Sequence, residues 1–140
     1  MAGGLDLQAI CASHPLHRQL QLRLDPELPG TRMVAEVPGS WLAPGEAVHG
    51  GVLATIVDTA AVFALIAATG HDWTTVDLRL DYLAPVAGQQ LAADSELWHI
   101  GGAIARVQCR LREVTGETAV VGVGTFRRGL RFEVANEGAG

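Results

Sequence analysis

The stretch His49 to Gly70, HGGVLATIVDTAAVFALIAATG, constrains this chain more than any other. Between Val52 and Ala68 every side chain is apolar or small except Thr55, Asp58 and Thr59. A surface helix shows one polar face, so a segment apolar on all sides reads as a helix inside a core. Gly70 stands where a helix end commonly takes a left-handed residue. One carboxylate, Asp58, interrupts the run. Burying an ionised carboxylate is strongly unfavourable unless the group is paired or neutralised. The neighbours one turn away are Ala54, Thr55, Ala61 and Val62, so the helix itself offers no cation.

The segments around this helix alternate. Leu20, Leu22 and Leu24 put a strand over Gln19 to Leu24, and Met33, Ala35 and Val37 put another over Thr31 to Val37. Asp25-Pro26 and Pro29-Gly30 turn the chain between them. Leu5 to Ala12 makes a short helical piece that ends before Pro15, and Pro38 to Val48 is a loop holding Trp41. After the helix, Thr75 to Leu83 sets Val76, Leu78, Leu80 and Tyr82 against Asp77, Arg79 and Asp81. Strands over Gln89 to Ile100, Ala103 to Glu113 and Thr118 to Arg127 follow, the last two joined by a Thr115-Gly116 hairpin turn. Gly122 and Gly124 inside the final strand mark a close approach or a bend. The end of the chain, EVANEGAG, is expected to fray.

This order predicts a single α+β domain over residues 1–140, its core spanning about 16–128, with an antiparallel sheet wrapped around one long buried helix. A lone sheet covers only part of such a helix. A second copy is therefore expected to cover the rest, in a two-fold homodimer.

Composition excludes several classes. The net charge of −5 gives no basic footprint for nucleic acid. Cys11 and Cys109 form no metal or CxxC pattern and point to a reducing, cytoplasmic setting. The start, MAGGLDLQAI, lacks the basic and apolar regions of a signal peptide. The apolar run is short for a membrane span, carries Asp58 and lacks flanking Lys or Arg, so no membrane partner is expected. His14, His17, His71 and His99 show no ligand spacing and read as surface residues, so no metal is expected.

His49-Gly50-Gly51 opens the helix, where backbone N–H groups are unpaired and the dipole is positive. Glycine lets a ligand approach the backbone, and an N–H aimed at a thioester or ester oxygen is an oxyanion donor. His49, Gly50 and Gly51 are thus candidates for substrate contact. Asp58 lies about 12 Å further along at ~1.5 Å per residue, too far for one substrate on one helix. The spacing suits a site shared between two copies. The residues alone leave other readings open. A glycine pair also serves turn and packing, a lone Asp is also met as a structural group bonded to backbone or to a strand Arg, and His49 alone reads as a loop residue.

HGGVLATIVDTA, with TTVDLRLDYLAPV and TAVVGVGTF after it, resembles the hotdog-fold acyl-CoA thioesterases of the phenylacetate-pathway (PaaI-like) type, over about Leu16 to Arg127. The resemblance implies homodimers that pair again into tetramers, with sites at the dimer interface. It implies Asp58 as catalytic carboxylate, general base or nucleophile, and the Gly50 N–H of the partner helix polarising the carbonyl. It implies Thr75 placing the attacking water and the pantetheine arm passing Tyr82, Leu83, Ala84 and Pro85. CoA is part of the substrate, and no cofactor is expected. Two positions depart from the family. Ala43 stands where many members have Asn or Gln, and the usual basic cluster is here WHIGGAIAR, with Arg106 its single cation. Arg127 and Arg128 are further candidates for the CoA phosphates. Val52, Ile56, Phe63 and Trp41 are candidates for an acyl pocket. The alternative function is a non-catalytic hotdog module binding acyl-CoA or another hydrophobic ligand. A hydratase is disfavoured because the histidine precedes the helix while the acid lies deep within it.

Overall fold

The computed structural model describes residues 4–42 and 47–134. Along the chain lie α1 (Leu7–Ala12), α2 (Pro15–Gln19), β1 (Arg23–Leu24), β2 (Arg32–Glu36), a 3₁₀ turn at Gly39–Trp41, α3 (Gly50–Thr69), β3 (His71–Tyr82), β4 (Gln90–Ile100), β5 (Ile104–Glu113) and β6 (Thr118–Arg131). The strands form one antiparallel sheet in the order β1-β2-β4-β5-β6-β3. The expected sheet around one long helix is therefore what the chain forms. Alternate residues of β5, Ala105, Val107, Cys109 and Leu111, turn toward α3 and are buried, whereas Arg106 and Arg110 face outward.

β3 leaves the end of α3 and crosses to the far edge of the sheet, where it pairs with β6 alone among the described residues. Gly70 makes the connection possible. It closes α3 in the left-handed region at φ 72°, where any side chain would be strained, and its N–H bonds to the Ile66 carbonyl.

Leu53, Ile56, Val57, Ala60, Ala61 and Phe63 to Ala67 of α3 are buried. The threonines satisfy themselves: Thr55, Thr59 and Thr69 donate to the carbonyls of Gly51, Thr55 and Leu65 in the preceding turn. One flank stays half-exposed, carrying Thr55, Asp58, Thr59 and Val62. By length and mean hydropathy of 2.1, α3 would also span a membrane. Here it is the core helix.

Three expectations are corrected. Gln19 to Leu24 is not a strand. His14 accepts from the Leu16 N–H with Pro15 at the first helical position, so the local start signal makes α2. Leu20 and Leu22 are buried through the turn that follows, where Gln21 takes φ 47°, and only Arg23–Leu24 pairs with β2. β3 begins at His71, four residues before Thr75, and β6 continues to Arg131, because these extensions pair with one another. His17 is half-buried rather than fully on the surface. It lies edge-on to Phe63, 6.1 Å between ring centroids, with Nδ1 2.9 Å from the Cys11 carbonyl.

α3 sits close on β6 at Gly122. A Cβ at Gly122 would lie 2.6 Å from Val57 Cγ1 and 3.0 Å from Leu80 Cδ2. That is the close approach the glycine signalled. Gly122→Ala is expected to destabilise the fold by about 1–3 kcal/mol through overpacking, read as a lowered Tm in a thermal melt. A second expectation concerns acid. Burial, reinforced by the nearby His14, holds the His17 pKa below its ordinary value of 6.5, against the opposing effect of its bond to Cys11. The folded state then binds fewer protons than the unfolded chain. Stability from this group is full above about pH 6.5 and is lost as pH falls toward the lowered value. Melts between pH 7.5 and 5 should show Tm falling less steeply in His17→Gln than in the parent.

Candidate active site

His49 caps α3. Its Nδ1 accepts from the Gly51 N–H at 2.9 Å, and its backbone carbonyl accepts from Val52 and Leu53. That bond requires the lone pair on Nδ1, which assigns the proton of the neutral ring to Nε2. The Gly51 N–H is thereby taken. The Gly50 N–H has no acceptor among the described residues. Glycine at 51 keeps the cap close, since a Cβ there would press on the His49 ring at 3.1 Å. Tyr82, from the far end of β3, lays its ring beside Gly50 and donates its hydroxyl to the Gly50 carbonyl at 2.8 Å.

Asp58 finds its partner on β3. The Thr75 hydroxyl donates to Asp58 Oδ1 at 2.6 Å. Strict alternation puts Thr75 outward with Asp77 and Arg79. A β-bulge reverses this. Thr75 pairs with Phe126 and Asp77 with Thr125, so Val76 is the extra residue with no counterpart on β6. Trp73 and Thr75 before the bulge share the inner face with Leu78 and Leu80 after it. Val76, expected on the inner face, is instead 58% exposed.

A cleft of about 370 Å³ opens at the N-terminus of α3, lined by Val48, Gly50, Leu53, Tyr82, Leu83 and Pro85 among others. It gathers four positions that came from the resemblance, Tyr82, Leu83, Ala84 and Pro85, beside Gly50. Leu53 and Val48 are further lining residues that the sequence reading missed; nothing in their apolar character separated them from core. Asp58 and Thr75 lie outside this cleft. Of the acyl-pocket candidates, Ile56 and Phe63 are buried in the core at 1% and 5% exposure, and Val52 and Trp41 are half-buried against it. Ala43 lies outside the described residues.

Arg127, opposite Thr74, and Arg106, opposite Thr125, are exposed on the outer face of the sheet near the Thr75 end. Arg128 is engaged differently. It stacks on Trp73 at 4.8 Å and donates to the Gly101 carbonyl at 3.0 Å.

A family model described as the thioesterase superfamily matches residues 45–120, which include α3, the cleft and the bulge. The chain belongs to the thioesterase superfamily. A Halobacterium salinarum protein provisionally named an esterase is 32% identical over 95 residues, 60% of this chain and 62% of that protein, so the match spans less than two thirds of that relative. A Bacillus halodurans protein solved with CoA superposes with a TM-score of 0.70 at 26% identity, covering 84% of this chain and 78% of the other. The Escherichia coli PaaI protein of the phenylacetic acid degradation operon superposes at 0.78 with 21% identity, over 88% of this chain and 90% of its own, a likeness of fold. The sheet around α3 is the hotdog arrangement.

In this thioesterase-superfamily chain the cysteines are poor nucleophiles. Burial pushes the Cys11 thiol up to about 11 and the Cys109 thiol up to about 12, so both stay protonated at neutral pH. The folded protein should react with a thiol reagent such as DTNB at neither position, and at both only after unfolding. Rapid labelling of either residue in the native state would contradict that burial.

Proposed function

We propose that this chain is an acyl-CoA thioesterase whose site is shared between two copies. The observation that carries the reading is the division of labour along α3. The Gly50 N–H, without an acceptor among the described residues, sits at its start, and the Asp58–Thr75 pair lies on its half-exposed flank, two turns away. One copy supports half of a site at each place. Two features of the single chain support closure by a second copy. The outer edge of β3 has no strand partner among the described residues, and Val76, Tyr82 and Leu83 along it are exposed. Two β3 edges paired antiparallel about a two-fold axis bring the Tyr82 end of each beside the Thr75 end of the other. The N-terminus of one α3 then meets the Asp58 flank of the other.

The chemistry follows. Thr75 holds Asp58 Oδ1, which leaves Oδ2 to accept a proton from water. The water oxygen adds to the thioester carbonyl carbon. The negative charge on the carbonyl oxygen is taken by the Gly50 N–H of the second copy, aided by the positive end of the helix. The C–S bond then breaks, CoA leaves as the thiolate and is protonated, and the free acid remains. In the nucleophilic variant Asp58 adds to the carbonyl carbon first, and the C–S bond breaks with loss of the CoA thiolate, which is protonated. Water then hydrolyses the resulting anhydride to the free acid and the Asp58 carboxylate. The cleft beside Tyr82, Leu83 and Pro85 suits the narrow pantetheine arm. Arg106 and Arg127 lie near the Thr75 end, where the nucleotide phosphates would emerge. The CoA bound in the Bacillus halodurans relative supports the substrate class.

The test is thiol release from aryl, short, medium and long acyl-CoAs. Asp58→Asn is expected to lower turnover on the best substrate by about 10²–10⁴-fold. Light scattering should give both proteins the same dimer mass. Equal hydrolysis by Asp58→Asn would remove that residue from the chemistry. Acyl-CoA binding by calorimetry with no thiol release from the parent would replace the enzyme with a binding module, the reading that Ala43 favours.

A further inference from the structure

The Gly50–Gly51 peptide is held at both ends. Its carbonyl accepts the Tyr82 hydroxyl at 2.8 Å, and its N–H donates to His49 Nδ1 at 2.9 Å. A peptide unit is planar, so two such bonds fix its rotation about the chain. The Gly50 N–H belongs to the preceding peptide, joined to this one at a single Cα. Glycine there has no side chain to restrict that joint, so the neighbouring bonds have to. The Tyr82 ring reinforces them from the side, 3.4 Å from where a Gly50 Cβ would stand.

We infer that Tyr82 is a positioning residue, which together with the His49 cap clamps the Gly50–Gly51 peptide and so aims the Gly50 N–H. This rests on the proposed role of that N–H as oxyanion donor. The Tyr82 hydroxyl then acts through the backbone, while its ring remains part of the cleft wall. The bond crosses from the end of β3 to the start of α3, 32 residues apart in sequence. It ties the geometry of the donor to the edge strand on which the second copy is proposed to pair. Its effect belongs to turnover, since an N–H aimed at the developing oxyanion gains most when charge has formed on the oxygen.

Tyr82→Phe tests this, because it removes the hydroxyl and keeps the ring against Gly50. With the best acyl-CoA of the panel, kcat should fall about fivefold while KM stays within about twofold, as for one lost neutral hydrogen bond. Tm should fall by only a few degrees and dimer mass should be unchanged. Deuterium exchange at the Gly51 amide, followed by NMR on glycine-labelled protein, should accelerate by a comparable factor, about fivefold. His49→Ala should reproduce both effects, and His49→Asn, which retains a capping acceptor, should restore them most of the way. Parent-like kcat in Tyr82→Phe overturns the proposal. So does a loss of kcat with unchanged Gly51 exchange, which would make Tyr82 a direct substrate contact. A parent that releases no thiol defeats the thioesterase reading instead. The Gly51 exchange of Tyr82→Phe then decides the clamp alone, and exchange at the parent rate overturns it.

Discussion

The seat of Val57 on Gly122 organises much of what surrounds it. A methyl group on that glycine would overlap the valine, so α3 packs tightly on β6 at this point. Successive residues on a helix are turned about 100° apart. With Val57 pressed to the sheet, Asp58 is carried round to the flank, where β3 forms the edge. The carboxylate is therefore neither in the dry interior nor on the free surface. Its place at the rim follows from packing by its neighbour. Thr55 and Thr59 close their hydroxyls onto the preceding turn, and Thr69 accepts from the Trp73 indole at the helix end. That leaves Asp58 as the polar side chain in the middle of α3 that reaches across to the sheet.

β3 answers from the other side. It has to cover α3 with Leu78 and Leu80 along one half, and it has to offer a hydroxyl to Asp58 along the other. A regular strand cannot do both with this sequence, because Thr75 and Leu78 are an odd number of residues apart. The unpaired Val76 reconciles them. The same strand ends at Tyr82, which reaches the first turn of α3. One edge strand thus touches the helix both at its first turn and beside Asp58.

Much of this was legible in the sequence because it is local. The apolar run gave α3 its extent, Gly70 its end, and the alternation of β5 its buried face. Gly122 announced a close contact without naming the partner. Gln19 to Leu24 misled because leucines at every second position satisfy a strand and a helix-turn connection alike, and the start signal at His14-Pro15 carried the stronger local chemistry. Thr75 came from the family resemblance and contradicted the periodicity, which has no means of marking an unpaired residue in advance. The capping role of His49 was open to reading, since a nitrogen acceptor just before a helix has an N–H to bind. The Tyr82 bond was not, because nothing local connects a β3 residue to a carbonyl at the start of α3.

The bulge at Val76 has a consequence for how such a site can change. Alternation along a strand is a parity: each residue belongs to the odd or the even set, and the set decides whether it meets the helix or the solvent. One unpaired residue inverts the parity of everything before it and leaves everything after it alone. Drawing that residue into a regular ladder would turn Thr75 outward while Leu78, Leu80 and Tyr82 kept their places. The chemistry offered to the carboxylate is therefore written in a count as well as in residue types. Drift by a single insertion or deletion can exchange the hydroxyl for another side chain with the fold intact. Between relatives in this superfamily, the number of residues from the helix end to Leu78 carries as much meaning as their names.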